Sequence, residues 1–132
     1  MATKTFADVA EGVKAAIAAY TLALDDGDTD RVLATFCDDG ATDIPGLGSH
    51  QGQEALRAAY DAVKPQMPQR HLVLNTLVSD WSDTEATATS DVLFMMPMDG
   101  KWSVLLVGRY TDSLQCDGDT WRFRHRKAEW LE

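Results

Sequence analysis

From Gln69 onward the chain is almost one continuous β signal, broken only at Ser82-Asp83, Asp99-Gly100 and Asp117-Gly118-Asp119. β-Branched and aromatic residues fill the runs, and turn formers occupy the breaks. The pattern predicts four strands, at about Gln69 to Trp81, Thr84 to Pro97, Lys101 to Gln115 and Thr120 to Trp130. Connections this short demand antiparallel neighbours, and runs this long exceed the usual strand. A sheet built from them must coil strongly, which leaves a concave face to be covered.

The preceding half supplies the cover. Phe6, Val9, Val13, Ile17, Tyr20 and Leu24 recur at helical spacing, predicting an amphipathic helix from about Thr5 to Asp25. Gly27 ends it, Asp28 is a natural N-cap, and Val32, Leu33 and Phe36 form the apolar side of a short second helix. Ala41 to Ile44 reads as a short strand, and Pro45 to Gly52 as a glycine-rich loop, a candidate lid. Gln53 to Lys64 repeats the helical pattern until Pro65 and Pro68 close it. With 132 residues there is room for one core, so a single α+β domain is expected, its three helices on the concave side of the sheet.

Charge narrows the partners. Against 12 Lys and Arg stand 21 Asp and Glu, a net charge of -9 that repels nucleic acid and anionic membrane. A small neutral or apolar ligand fits better. Asp8, Glu11 and Lys14 interrupt the first apolar segment, so neither a signal peptide nor a membrane span is expected. Cys37 and Cys116 have no metal or redox spacing and read as reduced thiols of a cytoplasmic protein. The string Asp25, Asp26, Asp28 and Asp30 lacks the glycine and closing glutamate of a calcium loop. No metal or cofactor is expected.

A histidine beside a carboxylate is the smallest set that moves a carbon-bound proton, and His71 with Asp25 is the candidate pair. On spacing alone, a strand-start histidine satisfied by backbone and a helix-end aspartate are the preferred explanation of these residues. Strict alternation places Asn75 on the His71 face as a ligand partner. Tyr20 lies on the helix-one stripe, where a buried phenol seeks a hydrogen-bond partner. Further substrate-binding candidates are Asp43 before the loop, Met95 in the apolar run Leu93 to Met98, Arg109 as an anion binder and His125, which shares the parity of Trp121 and Phe123. His50 is expected in solvent. Arg122, Arg124 and Arg126 alternate onto the face opposite Phe123, a basic stripe suited to a subunit interface, and the convex sheet face is expected to form a homodimer.

Three segments carry a resemblance to a known family. Tyr20 to Asp28 followed by Ala41 to Ile44, then Arg70 to Asn75, then Gly108 to Asp112 with Trp121 to Phe123 resemble the SnoaL-like branch of the NTF2 superfamily. The resemblance implies a helix-lined cone around one small-molecule pocket. Within the branch, scytalone dehydratase and the bile acid 7α-dehydratases are cofactor-free enzymes that eliminate water from cyclic substrates. His71 falls on their histidine, Asp25 on their helix-one aspartate, and Tyr20 on the catalytic tyrosine of the bile acid enzymes. Leu24 and Ile44 replace two tyrosines of scytalone dehydratase, and Met95 an acidic position of the bile acid enzymes. The resemblance implies a dehydratase or an isomerase or cyclase acting on a hydrophobic polyketide, steroid or terpenoid-like ring. The alternatives are a non-catalytic binding protein or accessory subunit, and an epoxide hydrolase using an Asp-Arg-Asp constellation.

Overall fold

A computed structural model describes residues 3–131. Helix α1 (Phe6–Asp26) starts in a capping box, in which the Thr5 hydroxyl accepts from the Asp8 amide and the Asp8 carboxylate accepts from the Thr5 amide. Its apolar stripe buries Val9, Val13, Ile17 and Tyr20. Gly27, at φ 70°, takes the left-handed conformation that closes the helix. Asp28 then accepts from the Arg31 amide to begin α2 (Thr29–Ala34). The third helix, α3 (Gln53–Ala62), stops slightly before the predicted end.

Strand β1 (Phe36–Ile44) begins earlier than Ala41, and β2 (Gly48–Gln51) folds back against it with Ala41 opposite Gln51 and Ile44 opposite Gly48. The segment expected as a loop is therefore the tip and return strand of a hairpin. Its turn closes where the Leu47 amide donates to the Ile44 carbonyl at 2.9 Å. Strands β3 (Arg70–Ser79), β4 (Glu85–Met98), β5 (Lys101–Asp117) and β6 (Thr120–Trp130) follow the four predicted runs. They join β1 and β2 in one six-stranded sheet of order β2-β1-β6-β5-β4-β3. All pairs are antiparallel except β1 with β6, which run parallel, so the sheet is mixed. Helix α1 crosses the face of β3, β4 and β6, and the core lies between them around Tyr20, Phe36, Trp121 and Phe123.

Bulges decide which side chains face inward, and two of them move expected site residues. In β3 the register slips between Leu74 and Leu77, at Asn75, which sits at φ 56°. In β6 it slips between Phe123 and His125, so Arg124 is the extra residue. A residue added to one strand reverses the facing of everything beyond it. Trp121 and Phe123 point inward before the β6 bulge, and Arg126 and Ala128 point inward after it.

Candidate active site

Asp25 lies in the last turn of α1 and His71 near the start of β3, and packing of α1 on β3 brings them together. The His71 backbone amide donates to Asp25 Oδ2 at 2.7 Å, and His71 Nδ1 lies 2.7 Å from Asp25 Oδ1. Gln69 Nε2 donates to the same Oδ1 at 3.1 Å. An ionised carboxylate only accepts, so Nδ1 carries the proton and Nε2 of the neutral ring keeps its lone pair. The pair is sheltered, with side-chain exposures of 12% for His71 and 5% for Asp25. The Phe94 ring, its centroid 4.6 Å from that of His71, fixes the imidazole from the other side.

His71 opens onto a cavity of about 190 Å³ that Gln69, Tyr20, Tyr60, Tyr110, Phe94 and Trp130 also line, with Leu24, Ile44, Leu47 and Leu106 among its apolar walls. The Tyr20 and Tyr60 hydroxyls meet at 2.7 Å. Burial pushes the Tyr20 hydroxyl well above the ordinary phenol range, Tyr60 and Tyr110 add to the rise, and Arg126 opposes it. Burial likewise raises Tyr60 and pushes Tyr110 up to about 12. All three phenols are therefore neutral at physiological pH and can act as hydrogen-bond donors.

Arg126 is fully buried behind this aromatic wall, its guanidinium carbon 3.5 Å from the Tyr110 ring centroid and 4.4 Å from that of Tyr20. Its Nε stands 3.2 Å from Asp112 Oδ1, yet the alignment makes no hydrogen bond, and the polar atoms of both side chains lack partners among the described residues. The pair thus interacts through charge and through the ring faces. Burial pushes the Asp112 carboxyl up to about 6 while Arg126 pulls the other way.

Several expected site residues lie elsewhere. The β3 bulge turns Asn75 outward, where its amide donates to Asp91 at 2.9 Å. Arg109, expected as an anion binder, instead bonds the same Asp91 on the outer face. Asp43 is exposed and accepts from the Ser49 hydroxyl at 3.0 Å, while its neighbour Ile44 lines the cavity. Met95 is half-buried on the outer face, because Phe94 beside it points in. The β6 bulge leaves His125 exposed and carries Arg126 out of the expected basic stripe into the interior. His50 is half-buried, with Nε2 2.8 Å from the Leu47 carbonyl. The hairpin tip at Pro45, Gly46 and Leu47 does border the cavity, and Trp130 Nε1 donates to the Pro45 carbonyl at 3.1 Å.

Gln69, Tyr60 and Arg126 were missed as site residues. Gln69 shares the parity of His71, which was a usable signal. The signal for Arg126 was that Trp121 and Trp130 have opposite parity, so both can pack inward only if a bulge intervenes.

Residues 7–127 match the model of the SnoaL-like domain. The chain belongs to the SnoaL-like family. Among curated proteins none matches it in sequence. A Mycobacterium tuberculosis protein of unknown function, Rv3472 with a D26N substitution, is 25% identical, covers 94% of this chain with 72% of its own, and superposes with a TM-score of 0.85. A Novosphingobium aromaticivorans protein provisionally described as a scytalone dehydratase is 19% identical over 94% of this chain and 86% of its own, with a TM-score of 0.81. The hexachlorocyclohexane dehydrochlorinase LinA-type3 of Novosphingobium barchaimii is 16% identical over 97% and 92%, with a TM-score of 0.79. The architecture this SnoaL-like chain shares with such structures is the NTF2-like fold. Among the described residues no His, Cys, Asp or Glu group is arranged to hold a metal ion, and no helix is long and apolar enough to cross a membrane.

Proposed function

We propose that this SnoaL-like protein is a lyase that removes a proton and a leaving group from adjacent carbons of a small cyclic substrate. The observation that carries the reading is the His71–Asp25 contact at 2.7 Å, which orients an imidazole base at the wall of an apolar cavity. His71 Nε2 takes the proton from carbon, and the Asp25 carboxylate stabilises the imidazolium that forms. The electron pair left on carbon forms the new double bond as the C–O bond breaks. The departing hydroxyl takes a proton from the Tyr20 and Tyr60 hydroxyl pair and leaves as water, and the His71 proton then restores the phenol through solvent. Arg126 behind Tyr20 places a fixed positive charge where negative charge builds on that phenol. Names borne by structures of the same fold, a dehydratase and a dehydrochlorinase, agree with elimination as the reaction type.

Cavity size restricts the substrate. A space of about 190 Å³ exceeds only modestly the roughly 150 Å³ apolar cavity that holds benzene. It fits one ring with small substituents, so a single-ring substrate is favoured over a steroid nucleus. The test is turnover of cyclic β-hydroxy ketones by the wild type and by His71→Ala. A loss on the order of a hundred- to ten-thousand-fold with the fold intact supports the base. Full turnover by His71→Ala removes it, and ligand binding without any turnover in the wild type favours a binding protein.

A further inference from the structure

Gln69 precedes β3, two residues before His71, so both side chains project to the same side of the extended chain and reach Asp25. It is 8% exposed and lines the cavity. Its amide orientation is set chemically: the carboxylate of Asp25 only accepts, so the NH₂ end must face it, 3.1 Å away, and the carbonyl end must turn elsewhere. Among the described residues no donor is seen on that carbonyl, and it is not one of the side-chain atoms sealed from solvent without a partner, so a molecule entering the cavity can reach it. The other polar groups of the cavity have assignments of their own, since the tyrosine hydroxyls bond each other and the imidazole nitrogen is the proton acceptor.

We propose that Gln69 is a specificity-determining residue, whose carbonyl oxygen accepts a hydrogen bond from a hydroxyl carried on the substrate ring close to the carbon facing His71. It selects hydroxylated rings, the substrates of dehydration, over rings of similar size whose leaving group is a halogen. A halogen has no proton to give and, once it covers the carbonyl, leaves it without a partner, and a site built to bond a hydroxyl discriminates against analogues that lack it. This inference rests on the cavity of the lyase reading but not on catalysis, because selection acts in binding.

The probes are 3-hydroxycyclohexanone and 3-fluorocyclohexanone, titrated by NMR into the wild type and into Gln69→Met, which keeps the length of the side chain and removes the acceptor. In the wild type the hydroxy ketone should bind about tenfold more tightly, the worth of one hydrogen bond. In Gln69→Met the ratio should fall to near one, with affinity for the fluoro ketone unchanged. Equal affinities in the wild type, or a preserved tenfold ratio in Gln69→Met, overturns the proposal. Where Gln69→Met does not fold, Gln69→Leu takes its place, and a preserved tenfold ratio there overturns the proposal equally. Product signals in the same spectra report elimination separately, so a tenfold preference without product leaves the selectivity standing and sinks the lyase.

Discussion

At Asp25 two oxygens serve three donors, and each bond has a separate consequence. The bond to the His71 backbone pins the start of β3 to the end of α1, and the bond to Nδ1 sets the tautomer of the base. Asp25→Asn keeps the shape of the side chain but can no longer accept at both atoms. Its activity should fall at least tenfold while remaining above that of His71→Ala, and imidazole nitrogen NMR should show a mixture of tautomers where the wild type shows only protonated Nδ1. Asp112 and Arg126 obey a different rule, since no hydrogen bond among the described residues replaces their hydration. Replacing both charges together, Asp112→Leu with Arg126→Met, should leave stability equal or raise it by about 1–4 kcal/mol in chemical denaturation, because two desolvated charges are removed. The same pair predicts a pH effect. Because the folded carboxyl is raised from 3.8 to about 6, the native state binds a proton more tightly than the unfolded chain. The stability this contributes is complete below the unfolded value and is lost as pH rises through about 6, a component that Asp112→Asn should lack in melts across that window.

Elements were legible in the sequence where a single period held. The stripe of α1, its Gly27 stop and the runs of β3 to β6 are all long, uninterrupted patterns, and His71, Asp25 and Tyr20 sit on them before any irregularity. Asn75 and His125 were misplaced because each lies at or beyond an inserted residue, and a bulge is set by cross-strand register that no local period reports. The return strand of the β1–β2 hairpin, Gly48 to Gln51, was read as loop because it is short and carries no β-branched residue. The register that hid these residues also builds the mouth of the cavity. A Cβ on Gly108 would collide with the ring of Trp130 and the carbonyl of Glu129, so only glycine lets that indole lie flat across β5 and hold the hairpin tip. Gly108→Ala should therefore displace Trp130, raise the KM for ring substrates severalfold and speed amide exchange at Leu47, with smaller changes at His71.

The whole molecule presents two unlike faces. Helices cover one side of the sheet, while on the other Leu72 and Leu74 of β3 and Trp102, Val104 and Val107 of β5 remain exposed in two rows on either side of β4. We expect this outer face to pair with a second copy, its apolar rows bordered by the Asp91–Arg109 ion pair. Light scattering at micromolar concentration should give twice the monomer mass, and Val104→Glu combined with Trp102→Glu should return it to one without loss of helix content. The position of β6 matters also to how the molecule comes into being. This strand is the last of the described sheet to leave the ribosome, yet it lies between β1 and β5. Until it arrives, the first hairpin has no neighbour on one side, and the β3 to β5 meander has no link to it. The earliest and latest parts of the chain must therefore find each other directly, a long-range closure that favours slow folding and leaves two open strand edges in the nascent protein as sites for chaperones to guard.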